Sequence, residues 1–238
     1  MLKKWRTNIR FYVLLASFAV SLALYVWVRV MVPAGLPRTI RLTQLYALTA
    51  LIYLYVTLLI GPAVYSFRSL PWRGHIYRAR RAIGVSTFYF ACLHAYLAFF
   101  KQLGGFSGLG FLSSRYLLAI ILSFTALVIF FLMTITALDK AVKRLTFRRW
   151  KMLHRFVYLA GVLVLVHALM LGTHFSDLSQ AIPQISFIAL ACLLFLEARR
   201  FDAYLKSKRA NLPTFGLATT LLIGNVIAYI IYMVFPRR

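Results

Sequence analysis

Acidic residues are scarce in this chain: 4 Asp and Glu stand against 28 Lys and Arg among 238 residues, a net charge of +24 at pH 7. In a soluble protein this charge would suggest nucleic-acid binding. Here the basic residues form short clusters between long apolar runs, which is typical of topology signals in membrane proteins. No RNA- or DNA-binding motif accompanies them, so we expect no nucleic-acid partner.

Cysteine and nucleotide-binding motifs are also rare or missing from the sequence. The two cysteines, Cys92 and Cys192, lie inside apolar runs, which argues against a disulfide framework and against a Cys-x-x-Cys zinc or iron–sulfur site. No Gly-x-Gly-x-x-Gly follows a strand, and connections of about 10–15 residues cannot hold a nicotinamide or flavin domain. We therefore expect chemistry inside the membrane, with a partner supplying or accepting what is transferred.

Apolar residues, by contrast, make up 62% of the chain, and the mean hydropathy is +0.81. A membrane-crossing helix needs about 20 apolar residues. Seven segments reach or approach that length: 11–30, 42–67, 82–100, 116–138, 152–172, 182–199 and 212–235. We predict an all-α, polytopic transmembrane bundle of six or seven spans, in which residues 1–238 form a single membrane domain.

The two terminal segments need separate comment. The run from Phe11 to Val28 has 18 residues and no clear cleavage site, so we interpret it as a retained span rather than a signal peptide. Segment 212–235 is the least certain of the predicted spans, since Asn225 and a terminal Pro-Arg-Arg lower its apolar content. Between residues 103 and 114, a Gly/Ser/Phe-rich loop favours a re-entrant or interfacial turn.

Charge asymmetry sets the predicted orientation. With the N-terminus in the cytoplasm, 21 of the 28 Lys and Arg residues lie on the inner side and 7 on the outer side. Every inner loop shares in this bias, which is the pattern of the positive-inside rule. We predict a cytoplasmic N-terminus.

Three of the five histidines lie inside predicted spans, where ionisable groups are expensive and usually functional. His94 lies 13 residues into the third span and His167 lies 16 residues into the fifth, both counted from the inner side. At about 1.5 Å per residue the two differ in depth by roughly 4–5 Å, so they can face each other. Two facing neutral imidazoles suit the axial positions of a b-type heme.

His154 lies 13 residues before His167 on the same span, roughly 20 Å away along the axis and rotated by about 140°. Either it serves a different cofactor face, or the helix is locally unwound near Gly161. The cations around it include Arg81 and Arg155, which either fix topology or pair with heme propionates or a flavin phosphate.

The remaining polar residues have simpler interpretations. His75 in an inner loop and His174 just past the fifth span are expected at the surface. Trp150 fits an interfacial aromatic belt. Either solvation or pairing with the surrounding arginines is sufficient to explain the three acidic residues near inner helix ends, Asp139, Glu197 and Asp202.

Two stretches resemble the ferric-reductase-like transmembrane family over roughly residues 42–200. They are RRAIGVSTFYFACLHAYL, with Arg-Arg-x-x-Gly and a later Leu-His, and RLTFRRWKMLHRFVYLAGVLVLVHALML, with a second His thirteen residues after the first. Within that family the chain is most similar to the heme-binding membrane subunits of bacterial methionine sulfoxide reductase systems, the MsrQ family.

The resemblance implies that His94, His154 and His167 are axial ligands of b-type heme, one heme or two, with Arg81 and Arg155 beside the cofactor and FMN as a further candidate. It implies a multi-pass protein of the bacterial inner membrane that receives electrons from a cytosolic flavin reductase or quinone. The implied acceptor is a periplasmic reductase subunit. The chain would then be an electron-transfer subunit rather than a self-sufficient oxidoreductase.

The chain departs from larger members of the family in two respects: Arg80 or Arg81 stands where an inner histidine of the third span would fall, and we expect no fused flavin domain. It departs from the MsrQ relatives in an extra predicted span at 212–235. An alternative is a metalloreductase-like or quinone-linked heme b carrier without a methionine sulfoxide partner. A transporter with structural histidines would predict intramembrane carboxylates or an inverted repeat, and the spans show neither.

Overall fold

The computed structural model describes residues 9–67, 69, 71–138, 141 and 144–208, the last few (204–208) and residue 147 by their backbone only. Every regular element in these ranges is a helix. The six long ones are α1 (Ile9–Met31), α2 (Leu36–Ser66), α3 (Arg73–Tyr96), α4 (Ser114–Thr136), α5 (Phe147–Leu171) and α6 (Ala181–Lys208). The predicted segment 212–235 and Asp139 lie outside the described residues.

Each of the six helices contains a stretch long and apolar enough to cross a membrane. The prediction of a polytopic helical membrane protein is therefore confirmed. The helix ends, however, extend beyond the apolar runs: α2 begins at Leu36 rather than 42, and α3 begins at Arg73 rather than 82. Hydropathy detects only the part of a helix that crosses lipid, whereas basic residues at its ends continue the same backbone pattern into the aqueous boundary.

The start of α3 corrects the placement of His75, which lies in the first turn of this helix and not in a loop. Trp72 precedes the helix with a φ of 52°, in the left-handed region that is costly for a bulky residue. Its carbonyl accepts hydrogen bonds from the backbone N–H groups of His75 and Ile76, at 2.7 and 3.1 Å. The chain thus turns sharply at Trp72 and enters the helix at once.

At its other end α3 widens into a π-helical segment, Leu97–Gln102. The N–H of Leu103 bonds the carbonyl of Ala98 at 3.0 Å, five residues back, which is the spacing of a π-helix. Gly104 and Gly105 then adopt φ values of 78° and 74°, which glycine tolerates without strain. A short helix, Phe106–Leu109, occupies the middle of the predicted re-entrant or interfacial loop.

The described chain divides into two compact units. The first contains α1, α2 up to Thr57, and residues from Arg78 to Thr173; the second contains Leu58–Tyr77 and the chain from His174 onward.

Helices α1, α2 and α3 pack in the first unit through buried hydroxyl groups. Ser17 Oγ bonds Ser86 Oγ at 2.8 Å and Tyr53 Oη at 3.1 Å, and Ser21 Oγ bonds Tyr89 Oη at 2.8 Å. Small residues such as serine let transmembrane helices approach closely while satisfying their polar groups across the interface.

The aromatic core of the first unit surrounds Phe90, whose side chain is 0% exposed. Tyr53 and Tyr89 each place a ring centroid 5.3 Å from that of Phe90, and Tyr46 lies at 6.1 Å. All three tyrosines therefore pack on one phenyl ring, which joins α2 to α3 about one helical turn before His94.

Helices α4 and α5 form an antiparallel pair in the first unit, because Ala119 lies beside His167 and Thr136 lies beside His154. Thr146 caps α5, accepting a hydrogen bond from the N–H of Arg149. The helix runs without interruption from Phe147 to Leu171, so the alternative of unwinding near Gly161 is wrong.

Two polar residues of the second unit bear on the predictions for α6. Asp202 on α6 is only 1% exposed, which excludes solvation and leaves the pairing alternative, and Glu197 pairs with Arg200 at 3.4 Å as expected. His174 lies in a 3-10 turn, Thr173–Phe175, and its Nε2 is buried with no hydrogen-bond partner in the described chain. It is therefore not the simple surface residue that the sequence predicts.

Phe90→Ala should destabilise the protein by about 3 kcal/mol, the lower end of the range for buried aromatic truncations, because it leaves a cavity among three tyrosines. The matched control is Phe124→Ala on α4, whose ring is 64% exposed. Chemical unfolding in detergent micelles measures both variants. Equal stability of the two would contradict the central role of Phe90 in packing.

Candidate functional site

The imidazoles of His94 and His167 face each other in the first unit. Their ring centroids lie 6.3 Å apart, with an angle of 75° between the ring planes. His94 comes from α3 and His167 from α5, two helices that the chain separates by α4. The facing predicted from matched depth is therefore found in the structure.

Each of these rings is held by a backbone carbonyl of a neighbouring helix. His94 Nδ1 lies 3.1 Å from the carbonyl oxygen of Thr43 on α2, and His167 Nδ1 lies 3.0 Å from that of Ala119 on α4. A carbonyl oxygen only accepts hydrogen bonds, so Nδ1 carries the proton in both rings. In a neutral imidazole Nε2 is then the nitrogen with the lone pair, which is the form that binds a metal.

The separation of the two rings matches what a shared metal ion requires. An imidazole nitrogen lies roughly 1.1 Å from the ring centroid and about 2.0–2.1 Å from a bound metal, so two rings on opposite sides of one ion have centroids roughly 6.3 Å apart. The observed distance is 6.3 Å. The spacing of the two rings therefore permits one metal ion between them.

His154 has a different environment near the other end of α5. Its Nε2 lies 3.3 Å from the hydroxyl oxygen of Thr136, and the Trp150 ring stacks on it at 4.3 Å with a 33° angle. Trp150 also donates its indole N–H to the Thr136 carbonyl at 3.2 Å. Trp150 thus packs against His154 and α4, a more specific role than the interfacial belt predicted from the sequence.

The hydroxyl of Thr136 determines the tautomer of His154. Its single proton goes to its own helix, with the Leu132 carbonyl at 2.7 Å and that of Met133 at 3.2 Å. Towards His154 the oxygen therefore accepts, and Nε2 is the protonated nitrogen. This is the opposite tautomer from His94 and His167, so His154 is arranged as a hydrogen-bond donor rather than as an Nε2 ligand.

The predicted cations divide between a site near His154 and the surface. Arg81 and Arg80 on α3 lie close enough to His154 for their charges to act on it. Arg80 Nε also donates to the carbonyl oxygen of Thr57 at 2.9 Å, which fixes its side chain against α2. Arg155, by contrast, is exposed.

Several contributors to the site were not predicted from the sequence. The backbone carbonyls of Thr43 and Ala119 could not be predicted as acceptors, because every residue has a backbone carbonyl and no side chain distinguishes these two. Gln102 lies on the π-helical segment beyond the predicted end of the third span, and its Nε2 donates to Thr43 Oγ1. Thr136 lies at the end of an apolar run and looks like an ordinary helix residue.

Comparison with known families identifies the family of the chain. Residues 44–166, which include His94 and His154 and end one residue before His167, match the model of the ferric reductase like transmembrane component. The chain belongs to the ferric-reductase-like transmembrane family. The match lies within the range of roughly 42–200 over which the motifs suggested the resemblance.

Several curated relatives in this family carry the same name, protein-methionine-sulfoxide reductase heme-binding subunit MsrQ. The protein from Ralstonia nicotianae is 33% identical over 44% of this chain and 48% of its own length. That from Herminiimonas arsenicoxydans is 30% identical over 68% and 70%, respectively, and that from an Enterobacter species is 36% identical over 50% and 58%. The chain thus spans between about half and 70% of these relatives' lengths.

The Thr136–His154 contact can be measured by a double-mutant cycle of Thr136→Val and His154→Phe, which keeps a ring to stack on Trp150. We expect a coupling free energy of about 0.6 kcal/mol and at most about 1.7 kcal/mol, the average and the maximum from double-mutant cycles of interhelical hydrogen bonds in membranes. Unfolding in detergent micelles provides the measurement. Thr125→Val is the control, because the Thr125 hydroxyl on the same helix donates to the Ile121 carbonyl of its own helix. Additive effects of the two substitutions would show that this hydrogen bond is not formed.

Proposed function

We propose that the chain is a heme-binding membrane subunit that carries electrons through the bilayer, with His94 and His167 as the two axial ligands of one b-type heme. The observation that carries this proposal is the pair of facing imidazoles, whose ring centroids lie 6.3 Å apart. Each ring donates its Nδ1 proton to a backbone carbonyl. Two histidines suffice for heme iron, since the porphyrin provides its other four bonds.

The residues of the chain have separate tasks in this proposal. When bound, the heme supplies one-electron redox chemistry. His94 and His167 hold it at one depth between α3 and α5, while Thr43 and Ala119 fix the imidazole tautomers. The surrounding helices exclude water, and burial of this kind is one of the determinants of reduction potential.

The inner end of the site is proposed to meet the electron donor. His154 lies close to the cluster of basic residues that the charge pattern assigns to the cytoplasm, and the charges of Arg81 and Arg80 act on it. We assign Arg81 to pairing with an anionic group of the cofactor or donor. His154, as a hydrogen-bond donor to Thr136, is not included among the iron ligands.

The names of the relatives support a methionine sulfoxide reductase as the partner, and the donor and the periplasmic side are proposed from the family resemblance. Electrons would pass from a cytosolic flavin reductase or a membrane quinone, through the heme, to a periplasmic subunit that reduces methionine sulfoxide. The chain would then lie in the bacterial inner membrane as an electron-transfer subunit of that system. The pair His94 and His167, on the outer half of the bundle by the charge-derived orientation, lies on the side of this acceptor.

Alanine substitutions test the ligand assignment. We expect His94→Ala and His167→Ala to abolish the reduced-minus-oxidised heme spectrum, because each removes one of the two iron ligands. His154→Ala should keep heme, and the control His75→Ala, at the start of α3, should match the wild type. Pyridine hemochrome content per chain in purified, detergent-solubilised protein is the measurement.

Two results would contradict the proposed function in different ways. A wild-type chain that takes up no heme when it is produced with ample heme would exclude the electron-transfer role itself. Heme retained in His94→Ala but lost in His154→Ala would keep that role and refute the assigned ligands.

A further inference from the structure

Gln102 and His94, both from the third span, bond to the same residue of α2. Gln102 Nε2 donates a short hydrogen bond to Thr43 Oγ1, while His94 Nδ1 donates to the backbone oxygen of Thr43 at 3.1 Å. Thr43 is buried, with 7% of its surface exposed. A displacement of Thr43 would therefore move the acceptor that orients the His94 ring.

The hydrogen bonds around Thr43 have fixed directions. The Thr43 hydroxyl donates its proton to the carbonyl oxygen of Thr39 at 2.8 Å, so it accepts from Gln102. The amide of Gln102 is thus the first donor in a series of two hydrogen bonds that ends on the backbone of α2. A side chain that donates no proton cannot replace it without leaving the buried hydroxyl short of a partner.

The π-helical segment is what brings Gln102 to this position. In an α-helix, eight residues would rotate Gln102 by about 80° from the direction of His94. Over Leu97–Gln102 the wider helix, with about 4.4 residues per turn, reduces that difference to roughly 30°. Both side chains therefore reach α2, and π-helical turns of this kind are frequent at functional sites.

We propose that Gln102 is a positioning residue for His94, acting through Thr43. It fixes the carbonyl that sets the tautomer and plane of the His94 imidazole, and so the strength of its bond to iron. This inference rests on the proposed heme site. His167 has no such support from the side chain of its acceptor residue, Ala119, so loss of the Gln102 contact should loosen His94 selectively.

Two substitutions remove the contact from either side: Gln102→Leu removes the amide, and Thr43→Val removes the hydroxyl at nearly constant volume. The control is Gln44→Leu, because Gln44 on α2 makes the same type of bond, from Nε2 to Thr173 Oγ1 at 3.1 Å. Its Oε1 accepts from Arg41, so neither of these side-chain bonds involves Thr43 or His94. Thr43→Ser keeps the hydroxyl and should restore what Thr43→Val loses.

We expect Gln102→Leu and Thr43→Val to bind heme at the wild-type ratio, since both ligands remain. Their low-spin ferric electron paramagnetic resonance signal should shift, because that signal depends on the orientation of the imidazole planes. The reduced heme should bind carbon monoxide about 10- to 100-fold more tightly, as His94 is displaced more easily; outer-shell partners of metal-bound histidines have effects of this size. Gln44→Leu and Thr43→Ser should keep the wild-type signal.

The outcomes separate this inference from the proposed function. A wild type without low-spin heme overturns both. A wild type with low-spin heme, together with an unchanged signal and carbon monoxide affinity in Gln102→Leu and Thr43→Val, overturns the role of Gln102 alone. An equal change in Gln44→Leu also overturns it, because the effect would then reflect general loosening of α2.

Discussion

The structure depends on one interaction made twice, a hydrogen bond from an imidazole Nδ1 to a backbone carbonyl of the neighbouring helix. It holds His94 against α2 and His167 against α4, with the two rings 6.3 Å apart. In lipid, a polar ring without a partner is costly, so each histidine requires a helix placed to receive it. The four helices α2 to α5 can therefore be understood as two helices that carry the facing histidines and two helices that orient these histidines.

The rest of the first unit maintains this arrangement. Buried serines and tyrosines join α1, α2 and α3, and the aromatic cluster around Phe90 fixes α3 one turn before His94. At the opposite end of α5, Thr136 and Trp150 hold His154 in the other tautomer. The two histidines of α5 thus have opposite tautomers, because each ring donates its proton to a different acceptor.

Much of the fold, and the central pair of the site, could be predicted from the sequence. Apolar length gave the six described spans, and counting residues from the inner end placed His94 and His167 at one depth. Helix ends were misplaced because hydropathy reports lipid contact and not backbone hydrogen bonding. Gln102, Thr43 and Thr136 were missed for a related reason: a π-helical turn and a carbonyl acceptor leave no residue pattern. For Asp202 the sequence left solvation and pairing open, and its burial excludes solvation, which depends on tertiary packing that no local pattern encodes.

The most direct test is an electron cryomicroscopy map of the heme-loaded chain at a resolution that shows ring nitrogens. We predict iron bound between Nε2 of His94 and Nε2 of His167, with both Nδ1 atoms still at the carbonyls of Thr43 and Ala119. Iron held through Nδ1 of either ring, or through His154 in place of one of the pair, would contradict it.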